Sequence, residues 1–206
     1  MTGKDRVISY IDGYNLYFGL KSSGWKRYYW LDVCKLSEEL TLGSQELLET
    51  KYFTSRIGSP PDKRVRQNLY LEALQAATPA RIIYGKYTTS EFKCPLCKGV
   101  DKVPKEKMTD VNIATEMLAD AFQDRFDTAL LITADSDLTA PVEAIRRIFP
   151  NKRVVVGFPP NRASVDLKNS ASAFLHINKA RLAASLLPPE VLKPDGYRLT
   201  CPARWS

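Results

Sequence analysis

Two apolar runs in this chain stop at aspartates, and that pattern constrains the fold more than any other feature. Val7-Ile8-Ser9-Tyr10-Ile11 ends at Asp12, and Ala129-Leu130-Leu131-Ile132-Thr133 is followed, after Ala134, by Asp135-Ser136-Asp137. Short apolar runs without polar alternation read as strands covered on both faces, the signature of a parallel sheet between helical layers. In an open α/β sheet the carboxyl ends of such strands border a common crevice. Acids scattered over more than a hundred residues of chain can therefore meet at one edge of the fold.

The rest of the chain keeps the alternation. Helical spacing of Val33, Leu36 and Leu40 predicts a helix over Leu31–Leu40, with Asp32 near its start. A second strand is expected at Leu47–Ile57, ended by Gly58-Ser59-Pro60-Pro61, then a helix from Asp62 to Ala77, stopped by Thr78-Pro79. Arg81–Tyr87 reads as a third strand, Met108–Phe126 as a helix, Thr128–Thr133 as a fourth strand and Leu138–Phe149 as a helix. Pro150-Asn151 turns into a fifth strand, Arg153–Phe158. Ala171–Ile177 fits a short edge strand and Lys179–Leu187 a short helix. This order predicts a doubly wound, three-layer α/β domain with a central, mainly parallel sheet over residues 1–187. It carries a polar, cysteine-bearing insert at about 90–106. Residues 188–206, rich in proline and polar residues, are expected as a C-terminal tail, draped on the domain or partly disordered.

Bulk properties narrow the class. A chain of 206 residues, 44% hydrophobic and 26% charged, has the size and composition of one globular domain. No apolar run reaches the length that spans a bilayer, and Met1–Arg6 leads into too short an apolar stretch for a signal peptide, so no membrane partner and a cytoplasmic address are expected. The formal charge of +7 tilts the partner toward an anion such as nucleic acid.

Each acid has a plain local explanation beside the chemical one. Asp137 is a natural cap for the helix that starts at Leu138, but capping leaves Asp135 unexplained. Asp12-Gly13 is ordinary turn chemistry, yet Asn15 follows three residues on and shares a face with Asp12 if a helical turn begins there. Asp110 suits the first turn of a helix, and Lys107 precedes it by three residues. A gathered set of carboxylates repels itself unless cations neutralise it, which points to a divalent-metal site for phosphoryl chemistry.

The three acid-bearing stretches, Ile11-Asp12-Gly13-Tyr14-Asn15, Lys107-Met108-Thr109-Asp110-Val111 and Thr133-Ala134-Asp135-Ser136-Asp137-Leu138, occur in an order that resembles the NYN domain, the LabA-like branch of the PIN-like nuclease superfamily. The likeness continues through Lys152-Arg153-Val154-Val155-Val156. It implies a Rossmann-like (PIN-like) sheet with a metal-dependent ribonuclease site at the carboxyl ends of its strands. Asp12, Asp110, Asp135 and Asp137 match the family's acidic quartet and Asn15 its accompanying asparagine. Ala134 departs from the glycine frequent there in relatives, without removing a ligand.

Four cysteines, Cys34, Cys94, Cys97 and Cys201, are too few and too unevenly spaced for a disulfide framework. Cys94-Pro95-Leu96-Cys97 is half of a zinc site, but no compact second pair completes it, so structural zinc is not expected unless a homodimer shares the site. Tyr14, Tyr17, Phe18, Trp25, Tyr28, Tyr29 and Trp30 crowd the segment after Asp12, among Lys21, Lys26 and Arg27. At least half of these rings are expected in the core, and the remainder are candidates to stack unpaired bases.

The expected activity is hydrolysis of RNA phosphodiester bonds with Mg²⁺ or Mn²⁺ held by Asp12, Asp110, Asp135 and Asp137, and with Asn15 and Lys107 positioning the phosphate. The alternative is a non-catalytic RNA-binding regulatory module on the same fold.

Overall fold

The computed structural model describes residues 3–93, 95–97 and 99–205. In chain order its elements are β1 (Asp5–Asp12), α1 (Gly13–Ser22), α2 (Val33–Leu40), β2 (Gln45–Thr54), α3 (Pro61–Ala77), β3 (Arg81–Tyr84), β4 (Lys86–Lys93), β5 (Val100–Lys107), α4 (Thr109–Phe122), β6 (Thr128–Ile132), α5 (Thr139–Ile148), β7 (Arg153–Phe158), α6 (Val165–Ser170), β8 (Ala173–His176), α7 (Lys179–Ala184), β9 (Glu190–Leu192) and β10 (Arg198–Thr200). A 3₁₀ turn precedes α2 at Lys26–Tyr29 and another precedes α5 at Ser136–Leu138.

Six strands form one sheet in the order β3-β2-β1-β6-β7-β8, and every neighbouring pair is parallel. The apolar runs explain this directly. On β1, Val7 and Ile11 face one layer while Ile8 and Tyr10 face the other, and both sets are buried. The first layer holds Leu16 and Leu20 of α1, Leu36 and Leu40 of α2, Leu71 and Leu74 of α3, and Leu182 of α7. The second holds Ile113 and Met117 of α4, Val142 and Ile145 of α5, and Leu167 of α6. Helices on both faces of a parallel sheet make the expected three-layer α/β architecture.

Chain order reverses between β1 and β6: β2 and β3 extend the sheet one way, β7 and β8 the other. The register pairs Ile11 with Ile132, so the next residues along, Asp12 at the end of β1 and Thr133 just after β6, emerge side by side. A topological switch point of this kind opens a crevice at the carboxyl edge.

Three regions differ in detail from the sequence pattern. Helix α1 starts directly after Asp12, where the aromatic-rich sequence gives only a weak helical stripe. The strand expected over Arg81–Tyr87 stops at Tyr84, because Gly85 touches the end of β2: a Cβ there would lie 2.6 Å from Ser55 Oγ and 2.8 Å from Thr109 Oγ1. From Lys86 the chain leaves the sheet as the antiparallel β4–β5 hairpin, which returns to α4 through Met108 at a left-handed φ of 76°. Within residues 188–206, expected as a tail draped on the domain or partly disordered, Glu190–Leu192 and Arg198–Thr200 pair as the antiparallel β9 and β10, with Val191 and Leu199 buried in the first layer.

A buried ionic network ties the second layer to the sheet. Lys51 of β2 is fully buried and pairs with Asp120 of α4, and at 2.7 Å with Glu116. Tyr10 donates at 2.6 Å to Asp120 Oδ2, the same oxygen that Lys51 engages, and Arg125 reaches the other oxygen, Asp120 Oδ1, at 2.8 Å and Glu49 at 2.9 Å. Burial alone would raise the Asp120 carboxyl, but hydrogen bonds from Lys51 and Tyr10 and the charges of Lys51 and Arg125 hold it below the usual range. Every member of the node thus faces a donor or an opposite charge.

Candidate metal centre and its surroundings

Asp12 ends β1 and caps α1. Its Oδ1 accepts from the Asn15 backbone N–H at 2.9 Å, which supplies one of the donors that a helix start leaves unpaired. Its Oδ2 accepts from Asn15 Nδ2 at 2.6 Å and from Thr133 Oγ1 at 3.0 Å. Asn15 Oδ1 in turn accepts from the Ala134 N–H at 3.3 Å, so one asparagine clasps both strand ends. Gly13 makes this close start feasible: a Cβ there would sit 2.6 Å from the Tyr52 ring and 2.7 Å from the Phe53 carbonyl oxygen.

The second strand end is built in the same way. The Asp135 N–H donates to Thr133 Oγ1 at 3.1 Å, and Asp135 Oδ1 accepts from the Asp137 N–H at 3.0 Å. Thr133 therefore bridges Asp12 and Asp135 through one hydroxyl. Asp12 is only 2% exposed, Asp135 is half-buried and Asp137 is exposed. Burial pushes the Asp12 carboxyl up; the bonds from Asn15 and Thr133 counter this, and the nearby negative charge of Asp135 adds to the rise. Among the described residues, all of its hydrogen-bond donors are neutral.

The remaining expected residues lie at the start of α4. Asp110 is half-buried in the first turn of α4, and Lys107 is exposed at the end of β5. The Gly85 contact holds the β5–α4 junction against the end of β2, the neighbour of β1. Asp12 and Asn15 thus meet Thr133 and Asp135, while Asp110 and Asp137 head separate elements. Among the described residues, no three His, Cys, Asp or Glu side chains gather into a ready metal-ligand group. The pair Asp12 and Asp135 nevertheless suits a hard cation in chemistry: the donors are oxygen, one carboxylate is buried, and among the described residues no cationic side chain bonds to either. Cys94 of the expected half zinc site lies outside the described residues, and Cys97 is exposed with a free thiol.

Sequence reasoning missed Thr133, whose hydroxyl joins the two aspartates; its place at the end of a buried strand beside Asp135 was the available signal. Lys152, in the stretch that extends the expected family likeness, binds Asp124 at 2.6 Å and the Phe126 carbonyl at 2.7 Å at the opposite edge of the sheet. Of the rings after Asp12, Tyr28 and Trp30 are buried, Trp25 and Tyr29 pack against the core, and Phe18 is exposed.

A family model for the NYN domain matches residues 6–178. The chain belongs to the NYN domain family. That match covers the whole parallel sheet and both strand ends that carry Asp12 and Asp135. Among curated proteins this NYN chain is similar to a 6-hydroxy-3-succinoylpyridine 3-monooxygenase of Pseudomonas putida, at 30% identity over 93% of the chain and 75% of the relative. The NYN fold also matches the crystal structure of a protein of unknown function from Vibrio parahaemolyticus, with a TM-score of 0.60, 18% identity, and coverage of 91% of this chain and 99% of that one. At that identity the likeness concerns the fold alone.

Proposed function

We propose that the protein is a metal-dependent ribonuclease whose site lies at the β1–β6 switch point. The observation that carries this reading is Asp12: a buried carboxylate whose donors among the described residues are neutral, tied through the Thr133 hydroxyl to the backbone N–H of Asp135, a second acid at the crevice edge. A protein keeps such a costly arrangement where a cation completes it. Asp12 and Asp135 would hold Mg²⁺ or Mn²⁺, with Asp110 and Asp137 contributing from the starts of α4 and the 3₁₀ turn. When bound, the cation supplies an activated water and neutralises charge on the phosphate. Asn15 and Thr133 fix the Asp12 oxygens, and Lys107, exposed beside α4, attracts the phosphate backbone.

A second reading has the Pseudomonas relative behind it, whose name describes oxygenation of a pyridine compound. It predicts turnover of a small aromatic acid and no RNA cleavage. The deciding experiment incubates single-stranded RNA with Mn²⁺ and either wild type or Asp135→Asn. The ribonuclease reading predicts cleavage by wild type and a loss of roughly 10²-fold or more in the variant, the scale of removing one electrostatic group from such a site. RNA affinity should hold or rise, because one acid facing the phosphates is neutralised. Equal rates in both proteins remove Asp135 from the mechanism. No cleavage by either, with RNA still bound, leaves a non-catalytic RNA-binding module.

A further inference from the structure

Beside the aspartates, a cleft of about 500 Å³ opens between α1, α3 and the last residues of the chain. Its volume falls in the range that holds one small ligand, roughly 300–1,000 Å³. Gly13 and Tyr14 form its wall nearest Asp12, so an occupant sits next to the β1 strand end. Aromatic rings line it: Tyr17, Tyr29, Tyr70 and Trp205. These rings are locked against one another. Tyr17 and Tyr29 lie 5.0 Å apart between centroids, and Trp205 meets Tyr29 edge-on at 5.6 Å and Tyr70 at 6.5 Å. The Tyr70 hydroxyl is anchored by donating to the Leu31 carbonyl at 2.8 Å.

The rim is cationic. Among the described residues, Lys21, Lys26, Lys63, Arg66 and Arg204 border the cleft against one acid, Asp62. Arg66 engages Asp62 at 2.9 Å and Arg204 approaches it at 3.8 Å, so its charge is already answered. Burial and the neighbouring Tyr17 push the Tyr29 phenol up to about 12, so it stays a neutral hydrogen-bond donor. Pre-packed rings offer flat faces at low entropic cost, and a net positive rim selects for negative charge.

We propose that this cleft binds a single planar heteroaromatic ring carrying an anionic group, with the ring among Tyr17, Tyr29 and Trp205 and the anion toward Lys63 and Arg66. A nucleotide, through its base and phosphate, and a free aromatic carboxylate share this chemistry. The inference rests on the cleft alone and requires neither a cation nor cleavage of RNA.

Calorimetric titration of the full chain in EDTA tests it, with uridine 5′-monophosphate and nicotinate as ring-plus-anion probes. Uridine and pyridine serve as uncharged rings and inorganic phosphate as the ring-free anion. At least one ring-plus-anion probe should saturate one site per chain. It should bind about tenfold or more tightly than its uncharged ring or phosphate, as expected when ring stacking and the charge contact act together. Trp205→Ala should weaken it by a similar factor. Lys63→Ala, an exposed change on α3 that leaves the core untouched, should weaken it several-fold. Binding of uridine 5′-monophosphate only assigns the cleft to a nucleotide; binding of nicotinate only assigns it to a free aromatic acid. Failure of both to saturate, phosphate binding as tightly as either, or wild-type affinity in both variants overturns the proposal. Because no divalent cation is present, ring binding can stand while the ribonuclease reading fails, and the reverse.

Discussion

Two buried carboxylates, Asp120 of α4 and Asp12 at the end of β1, meet opposite treatment. Asp120 is surrounded by Lys51, Tyr10 and Arg125, a closed set in which charge answers charge. Asp12, two residues along β1 from Tyr10, receives three hydrogen bonds from neutral groups and stands near another acid. The consequence appears in their acidities: Asp120 is held below the ordinary carboxylate range and Asp12 above it. The first cluster is complete within the chain and stabilises the contact between β2 and α4. In the second, no described cationic side chain answers the carboxylate, the charge pattern on which the proposed cation site rests.

The comparison breaks first if the closed cluster is not structural. Asp120→Ala strands the fully buried Lys51 ammonium without its nearest carboxylate, and breaking a buried pair in this way costs about 3–5 kcal/mol. Urea unfolding should read a loss of that size; a loss below about 1 kcal/mol, the scale of an exposed pair, would mean that the remaining Glu116 contact suffices.

The open cluster is sharpened by Thr133→Val, which keeps the shape and removes one hydroxyl. That change takes a donor from Asp12 Oδ2 and an acceptor from the Asp135 N–H. A cost of about 1–3 kcal/mol is expected for leaving buried polar groups short of a partner. An unchanged unfolding midpoint would show that the bridge between the two strand ends is idle.

A smaller effect separates the clusters by sign. Because the folded-state acidity of Asp12 is raised, its ionised form costs the folded protein. Wild type should therefore lose stability relative to Asp12→Asn as pH climbs from the ordinary carboxylate range through the raised Asp12 value. Asp120 is lowered, so its contribution is present above the ordinary range and fades in acid. Wild type should lose its advantage over Asp120→Asn as pH falls through that window. Unfolding of the three proteins in EDTA, between about pH 3 and 7, should give difference profiles of opposite slope. Slopes of one sign would contradict the contrast.

Much of this was legible in the sequence because parallel strands and their terminal acids write themselves locally. The runs Val7–Ile11 and Thr128–Thr133 specify strands, and Asp12 and Asp135 fall at their ends. What lay hidden depends on contacts distant in sequence. Helix α1 forms because Gly13 fits against Tyr52 and Phe53, forty residues on, while its own aromatic pattern is ambiguous. Lys51 reads as a solvent-facing strand residue until Glu116 and Asp120 of α4 are seen around it. The ordering of the chain's last residues is equally nonlocal: Trp30 Nε1 donates to the Pro188 carbonyl at 2.8 Å, and Trp205 packs against Tyr29, Trp30 and Tyr70. That return of the chain also builds one wall of the aromatic cleft, which no local motif announces.

The proposal that the Asp12–Asp135 pair binds a divalent cation is tested most directly by titrating the protein with Mn²⁺ and following free Mn²⁺ by electron paramagnetic resonance. Saturable Mn²⁺ binding in wild type is expected, with strong weakening in both Asp12→Asn and Asp135→Asn and none in Asp62→Asn, an exposed acid outside the pair. No saturable binding in wild type, or unchanged binding in the first two variants, would contradict it.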